Sequence, residues 1–315
     1  MHYLCFGLLL SFSLSAAPGI AIVLNSGDET LSLIDANTQR ETKRIAIGKE
    51  PHHLMATPDD KFIIIANAAS NELVFLDRTT GEIKNKVKNI SDPYQIGYSP
   101  DKKWFVSVSL RLDRVDIYKP DNFQIVKRIA LPKAPSHLAY SPDSKTVFIT
   151  LQDTNQLAAI DLETQTVQWK LPIGKQPAGI LMTPDSKYLL IGILGENYVD
   201  VIDWRAKKRV KKIFTGKGAH NFVRLGDGKH AFLSNRAENT ISKINLETLE
   251  VVDSYPAPGG PDCMDVTSDQ RYLWMTSRWA RKVSILDLQT KKIVKQIPVG
   301  RSPHGIYLSS HAPRK

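Results

Sequence analysis

A 42-residue period runs through this chain, and no other feature restricts its fold so severely. "PHHLMATPDD" starts at Pro51, "PYQIGYSPDK" at Pro93, "PSHLAYSPDS" at Pro135 and "PAGILMTPDS" at Pro177. The same register continues through Ala219 in "AHNFVRLGDG" and Pro261 in "PDCMDVTSDQ" to Pro303 in "PHGIYLSS". Asp59, Asp101, Asp143, Asp185, Asp227 and Asp269 share one column of the repeat. Asp35, Asp77, Asp161, Asp203 and Asp287 share another, with Lys119 and Asn245 as the exceptions. A fixed period of this length means stacked supersecondary units.

Each unit holds four short segments rich in β-branched and aromatic residues, parted by turn signals. In the first unit these are "HLMAT", "KFIIIAN", "ELVFLD" and "EIKNKV". The runs are too short for helices and lack a 3.6 period, so they read as strands. Four antiparallel strands per 42-residue unit make a propeller blade. Six units run from Pro51 to Ser302. Residues 20–50 align with strands two to four of a blade and residues 303–308 with strand one. The expected fold is therefore an all-β, seven-bladed β-propeller. It is closed by the C-terminal strand (303–308) pairing with the N-terminal strands (20–50), which removes the free sheet edges of an open array.

Residues 1–17 read as a secretory leader: an apolar run leads into Ser13, Ser15, Ala16 and Ala17. The expectation is a single domain over 18–315, periplasmic or secreted. Once the leader is cleaved, Cys263 is the only cysteine, so neither an intramolecular disulfide nor a CxxCH haem attachment can form. The net charge is +10, which favours an anionic small molecule or another acidic partner. The run "RAKKRVKK" at 205–212 would also suit nucleic acid or a lipid headgroup. No RNA-binding motif accompanies it, and on an outer strand it reads first as a solvated basic edge.

The segments "PHGIYL", "SPDSKTVFIT", "TISKINLETLEVV" and "VSILDLQTKKIVKQIPVG" resemble the YVTN-type propeller repeat over residues 20–308. The superfamily that this resemblance implies includes the haem d1 domain of cytochrome cd1 nitrite reductase and proteins of haem d1 biosynthesis. A haem d1-like tetrapyrrole or a divalent metal is the cofactor it suggests. The chain departs from the cytochrome cd1 pattern in carrying no cytochrome c domain.

Blade topology locates a site. The residues after each repeat proline and the loops between strands two and three are expected to share one end of the central channel, with the "SPD" turns at the other. Seven histidines follow the leader. Five of them (His52, His53, His137, His220 and His304) fall in the fourteen places one and two residues after the repeat starts. Tyr94 stands in the same columns, and the second-to-third strand loops add Arg111, Arg236, Arg278 and Trp279. Guanidinium forks suit carboxylates and phosphates. Neutral imidazole suits borderline metals or a haem iron, and His52, His220 and His304 are the candidate metal ligands.

The chain has no G-x-S-x-G, H-E-x-x-H or P-loop motif. The reading is therefore a non-catalytic propeller binding an anionic or tetrapyrrole-like ligand at a His/Arg mouth. Two alternatives stand beside it. One is a haem- or metal-dependent oxidoreductase, lyase or cofactor-handling protein. The other is an interaction scaffold for a protein partner.

Overall fold

The computed structural model describes residues 19–314. The expected leader lies outside these residues. Within them, 28 strands form seven four-stranded antiparallel sheets, and there is no helix. We number the blades from the repeat starts. Blade 1 runs Pro51–Ala56, Phe62–Asn67, Glu72–Asp77 and Ile83–Lys88 from the channel outward. Blades 2 to 6 follow at the sequence period. Blade 7 joins the two ends of the chain: Pro303–Leu308 pairs with Ile20–Asn25, which pairs with Thr30–Asp35 and then Arg40–Ala46. The closing ladder sets Ala21 opposite Leu308, Ile22 opposite Tyr307 and Val23 opposite Ile306.

The two aspartate columns are turn devices. In the first, five of the six carboxylates accept from the Ser or Thr two residues earlier and from the backbone N–H two residues later, as Asp143 does from Ser141 (2.6 Å) and Lys145 (3.1 Å), while Asp227, which follows Leu225, accepts from the N–H groups of Lys229 and His230. In the second, Asp77 accepts from the N–H groups of Thr79 and Thr80 (2.9 Å each). Such Asx bonds let a carboxylate mimic a backbone turn. The hairpins also need a left-handed residue, and Asn71, Asn155 and Asn239 supply it at one point of the period, with φ between 56° and 61°.

The hydrophobic core lies in the seams between blades. Val106, Val108 and Val115 of blade 2 pack with Val147, Ile149 and Ile160 of blade 3, all fully buried. The outer strands carry the basicity instead: together they hold fifteen Lys or Arg against three Asp or Glu. The "RAKKRVKK" run enters blade 4's outer strand, Lys208–Phe214. The net positive charge thus belongs to the rim of the disc, and the channel holds few formal charges.

Candidate functional site

On the inner strands the pairing ladder breaks at the second and third residues. The register shifts between Pro51 and Leu54, Pro135 and Leu138, Pro177 and Ile180, Ala219 and Phe222, and Pro261 and Met264. A bulge suspends the strict alternation of a strand, so two successive residues of one blade can both serve the channel. This local irregularity is why the two histidine-rich columns meet.

The five histidines form a buried plug across the channel. His52 stacks on His304 at 3.8 Å between ring centroids, and His53 lies 4.8 Å from His304 and 5.4 Å from His137. His137 lies 5.5 Å from His220, and the Tyr94 ring sits 4.1 Å from His52. None of the five is more than 7% exposed. Burial pulls His53 down to about 4 and holds His52, His137 and His304 well below the usual imidazole range. The rings are therefore neutral at pH 7, and their tautomers matter. His53 Nδ1 donates to the Tyr94 carbonyl (2.8 Å), and His304 Nδ1 donates to the His52 carbonyl (2.7 Å). These bonds leave Nε2 unprotonated on both rings. The Nε2 atoms of His53, His137 and His304 are buried without a hydrogen-bond partner.

Asp262, fully buried, closes one side of the plug. Its Oδ1 accepts from Arg236 Nη2 (2.8 Å) and lies 3.0 Å from His220 Nδ1; its Oδ2 accepts from Arg278 Nη1 (3.2 Å). Burial alone would raise this carboxyl, but the facing imidazoles and guanidiniums overrule it and hold it well below the usual range. Asp262 stands in the histidine column of the repeat as its single acid, which is the signal by which the sequence could have marked it.

The structure thus brings together His52, His53, Tyr94, His137, His220 and His304, with Arg236 and Arg278 capping them through Asp262. Arg111 and Trp279 stand apart. Arg111 bridges Glu50 and Asp92 (2.6 Å to the latter), and Trp279 is 59% exposed, lying over Gly260. Of the three candidate metal ligands, His220 is displaced. Its nitrogens lie 2.9 and 3.1 Å from the Arg236 guanidinium, and its ring is 6.4 Å from His304. The ring nitrogens that gather within 4.8 Å are those of His52, His53 and His304.

The loop-bearing end expected to form the pocket is closed by this plug. The axial cavity, about 280 Å³, opens at the opposite, turn-bearing end. Leu54, Leu181, Phe222, Met264 and Ile306 line its walls, and His53, Asn221 and Cys263 also face it. Three formal charges occur on the seven inner strands: Asp262, Asp265 and Arg224. Asp262 has its two arginines. Asp265 is paired with Arg314 (2.6 Å), which also lines the cavity. Arg224, half-buried in the cavity wall, donates Nη2 to the Met182 carbonyl, and its Nη1 has no partner. No carboxylate pairs with Arg224 among the described residues. Sequence reasoning passed over Arg224, although its column otherwise reads Ala56, Tyr98, Tyr140, Met182, Val266 and Leu308.

A tetrapyrrole does not fit this arrangement. The imidazoles pack ring against ring, and the cavity reaching His53, about 280 Å³, has room for a small molecule and not for a macrocycle.

No curated protein matches the chain. Among solved structures it is similar to a functionally unknown protein from Desulfotomaculum acetoxidans DSM 771, with TM-score 0.80 and 15% identity over 94% of this chain and 99% of that one. It is also similar to Kuenenia stuttgartiensis hydrazine synthase, with TM-score 0.70 and 21% identity over 81% and 88% of the two chains. A third is the dihydro-heme d1 dehydrogenase NirN in complex with DHE, with TM-score 0.69 and 16% identity over 95% and 77%. At these identities the likeness is one of fold. The YNCE-like beta-propeller family matches residues 7–314, and the chain belongs to it.

Proposed function

We propose that this propeller is a non-catalytic binding protein of the periplasm or the cell exterior. Its ligand is a small anion with an apolar body, taken in the axial cavity at the turn-bearing end. The observation that carries this reading is Arg224. Of the three charges on the inner strands, it alone has no counter-charge. A half-buried guanidinium pays a desolvation cost that an incoming carboxylate or phosphate would offset through charge-assisted hydrogen bonds. The apolar walls suit a hydrocarbon or aromatic body, and the volume of about 280 Å³ suits a small one.

Calorimetric titration with hexanoate, benzoate and phenyl phosphate, each set against its neutral amide or alcohol, tests the reading. The anions should bind and the neutral analogues should not. Arg224→Gln should weaken the anions by about tenfold or more, the worth of one charge-assisted bond. Failure of all three anions, or equal binding by Arg224→Gln, would sink it. An absorption spectrum of protein purified from its native source checks the haem-bearing alternative, for which a Soret band is required.

A further inference from the structure

We infer that His52, His53 and His304 form a site for a first-row divalent metal ion of the zinc, cobalt or copper class. The site would lie where the imidazole plug meets the axial cavity. The three side chains are buried, and each offers a ring nitrogen within 4.8 Å of the other two. The stronger observation concerns the protons. His53 and His304 each donate Nδ1–H to a backbone carbonyl, of Tyr94 and His52 respectively. That outer bond is the one metal-ligating histidines make: it fixes the tautomer, orients the ring and bares Nε2 as a ligand. On both residues the bared Nε2 is buried and unpartnered. A buried lone pair with nothing to accept is costly, and a metal ion would satisfy it.

The surroundings agree on charge and access. His304 Nε2 stands 3.7 Å from Asp262 Oδ2, too far for a hydrogen bond, so a buried carboxylate adds negative charge beside the site. Asp262 also offsets part of the positive charge of Arg236 and Arg278, which opposes an ion here. His53 lines the axial cavity, so an ion has a way in and can keep a water-accessible coordination position. Two nitrogens on one tetrahedral zinc ion are about 3.4 Å apart, so binding draws the rings inward by side-chain rotation. Neutral imidazole without a committed thiolate selects borderline ions over calcium or magnesium.

The test uses the chelator-treated, full-length folded chain. One equivalent of Co²⁺ should bind and develop the visible absorption of a tetrahedral nitrogen-ligated ion, and Zn²⁺ should displace it. His53→Gln should lower the affinity about 100-fold, His220→Gln should leave it within a few-fold, and Arg278→Gln should tighten it. Nitrogen-15 NMR of the metal-free wild type needs no variant to fold. It should show His53 and His304 protonated at Nδ1 only, with the Nε2 resonances moving on Zn²⁺ addition. Absence of Co²⁺ binding, unchanged affinity in His53→Gln, or an Nε2-protonated His304 would each overturn the site. Arg224→Gln should bind Co²⁺ normally, so loss of the anion site and loss of the metal site are separately visible.

Discussion

Replacing Asp262 with Asn tests the electrostatic closure of the channel with almost no change of shape. The carboxylate is fully buried and contacts Arg236 at 2.8 Å, Arg278 at 3.2 Å and His220 at 3.0 Å. The amide removes the only negative charge between two guanidiniums. Breaking a buried pair by removing one partner costs about 3–5 kcal/mol. Arg236 and Arg278 keep 18% and 26% of their side-chain surface in water, which screens the repulsion left behind and favours about 3 kcal/mol, the lower end of that range. With a urea m-value of about 3 kcal/mol per molar, the midpoint falls by about 1 M. Urea unfolding at pH 7, followed by tryptophan fluorescence, reads this directly. The second arm adds Arg278→Gln to Asp262→Asn, which removes one of the uncompensated cations and should recover part of the loss. A midpoint shift under about 0.2 M, or a double variant less stable than the single one, would refute the reasoning.

Two further perturbations reach other parts of the ring. Removing residues 303–315 deletes a strand whose Ile306, Tyr307 and Leu308 are nearly or fully buried. At about 1.5–3 kcal/mol for each buried side chain, the loss rivals the whole stability of a domain. The truncated chain should lose its cooperative thermal transition or associate through the opened edge in size-exclusion chromatography, and a monomer with an unchanged melting temperature would contradict the closure. Gly179→Ala tests close approach between blades, since a Cβ there would meet the His220 carbonyl oxygen at 2.2 Å and Asn221 Cα at 3.0 Å. Both obstacles are backbone, so we expect a loss of about 1–3 kcal/mol in urea unfolding. A neutral substitution would show that the inner strands of blades 4 and 5 can move apart freely.

Much of the architecture was legible because the repeat makes independent signals agree. The two aspartate columns mark turns by local side-chain to backbone bonds, which need no tertiary context. The gathering of five histidines in two columns survives the fold, because residues at one point of the period must share one level of the channel. The site's direction was harder to read. Alternation along a strand would send His52 and His53 to opposite faces, and the bulge that turns both toward the axis shows only in the ladder. Trp279 and Arg236 occupy corresponding loops of neighbouring blades, yet Trp279 lies over Gly260 with 59% of its surface exposed while Arg236 reaches inward to Asp262. Arg224 and Asp265 were visible as charges in apolar columns, but the Arg314 that neutralises Asp265 lies 49 residues further along the chain.

By itself the sequence determined the period, the four strands of each blade and the pairing of residues 303–308 with residues 20–25. These follow from local patterning repeated seven times, and only the pairing of the chain ends completes the seventh four-stranded sheet. Only the tertiary structure decided which end of the channel is open. That choice rests on how far neutral imidazoles can pack once two arginines and Asp262 cap one side of them. It rests also on Arg224 being left without a counter-charge on the other. Both depend on distances between residues that the chain holds 16 to 252 positions apart, and no local pattern encodes them.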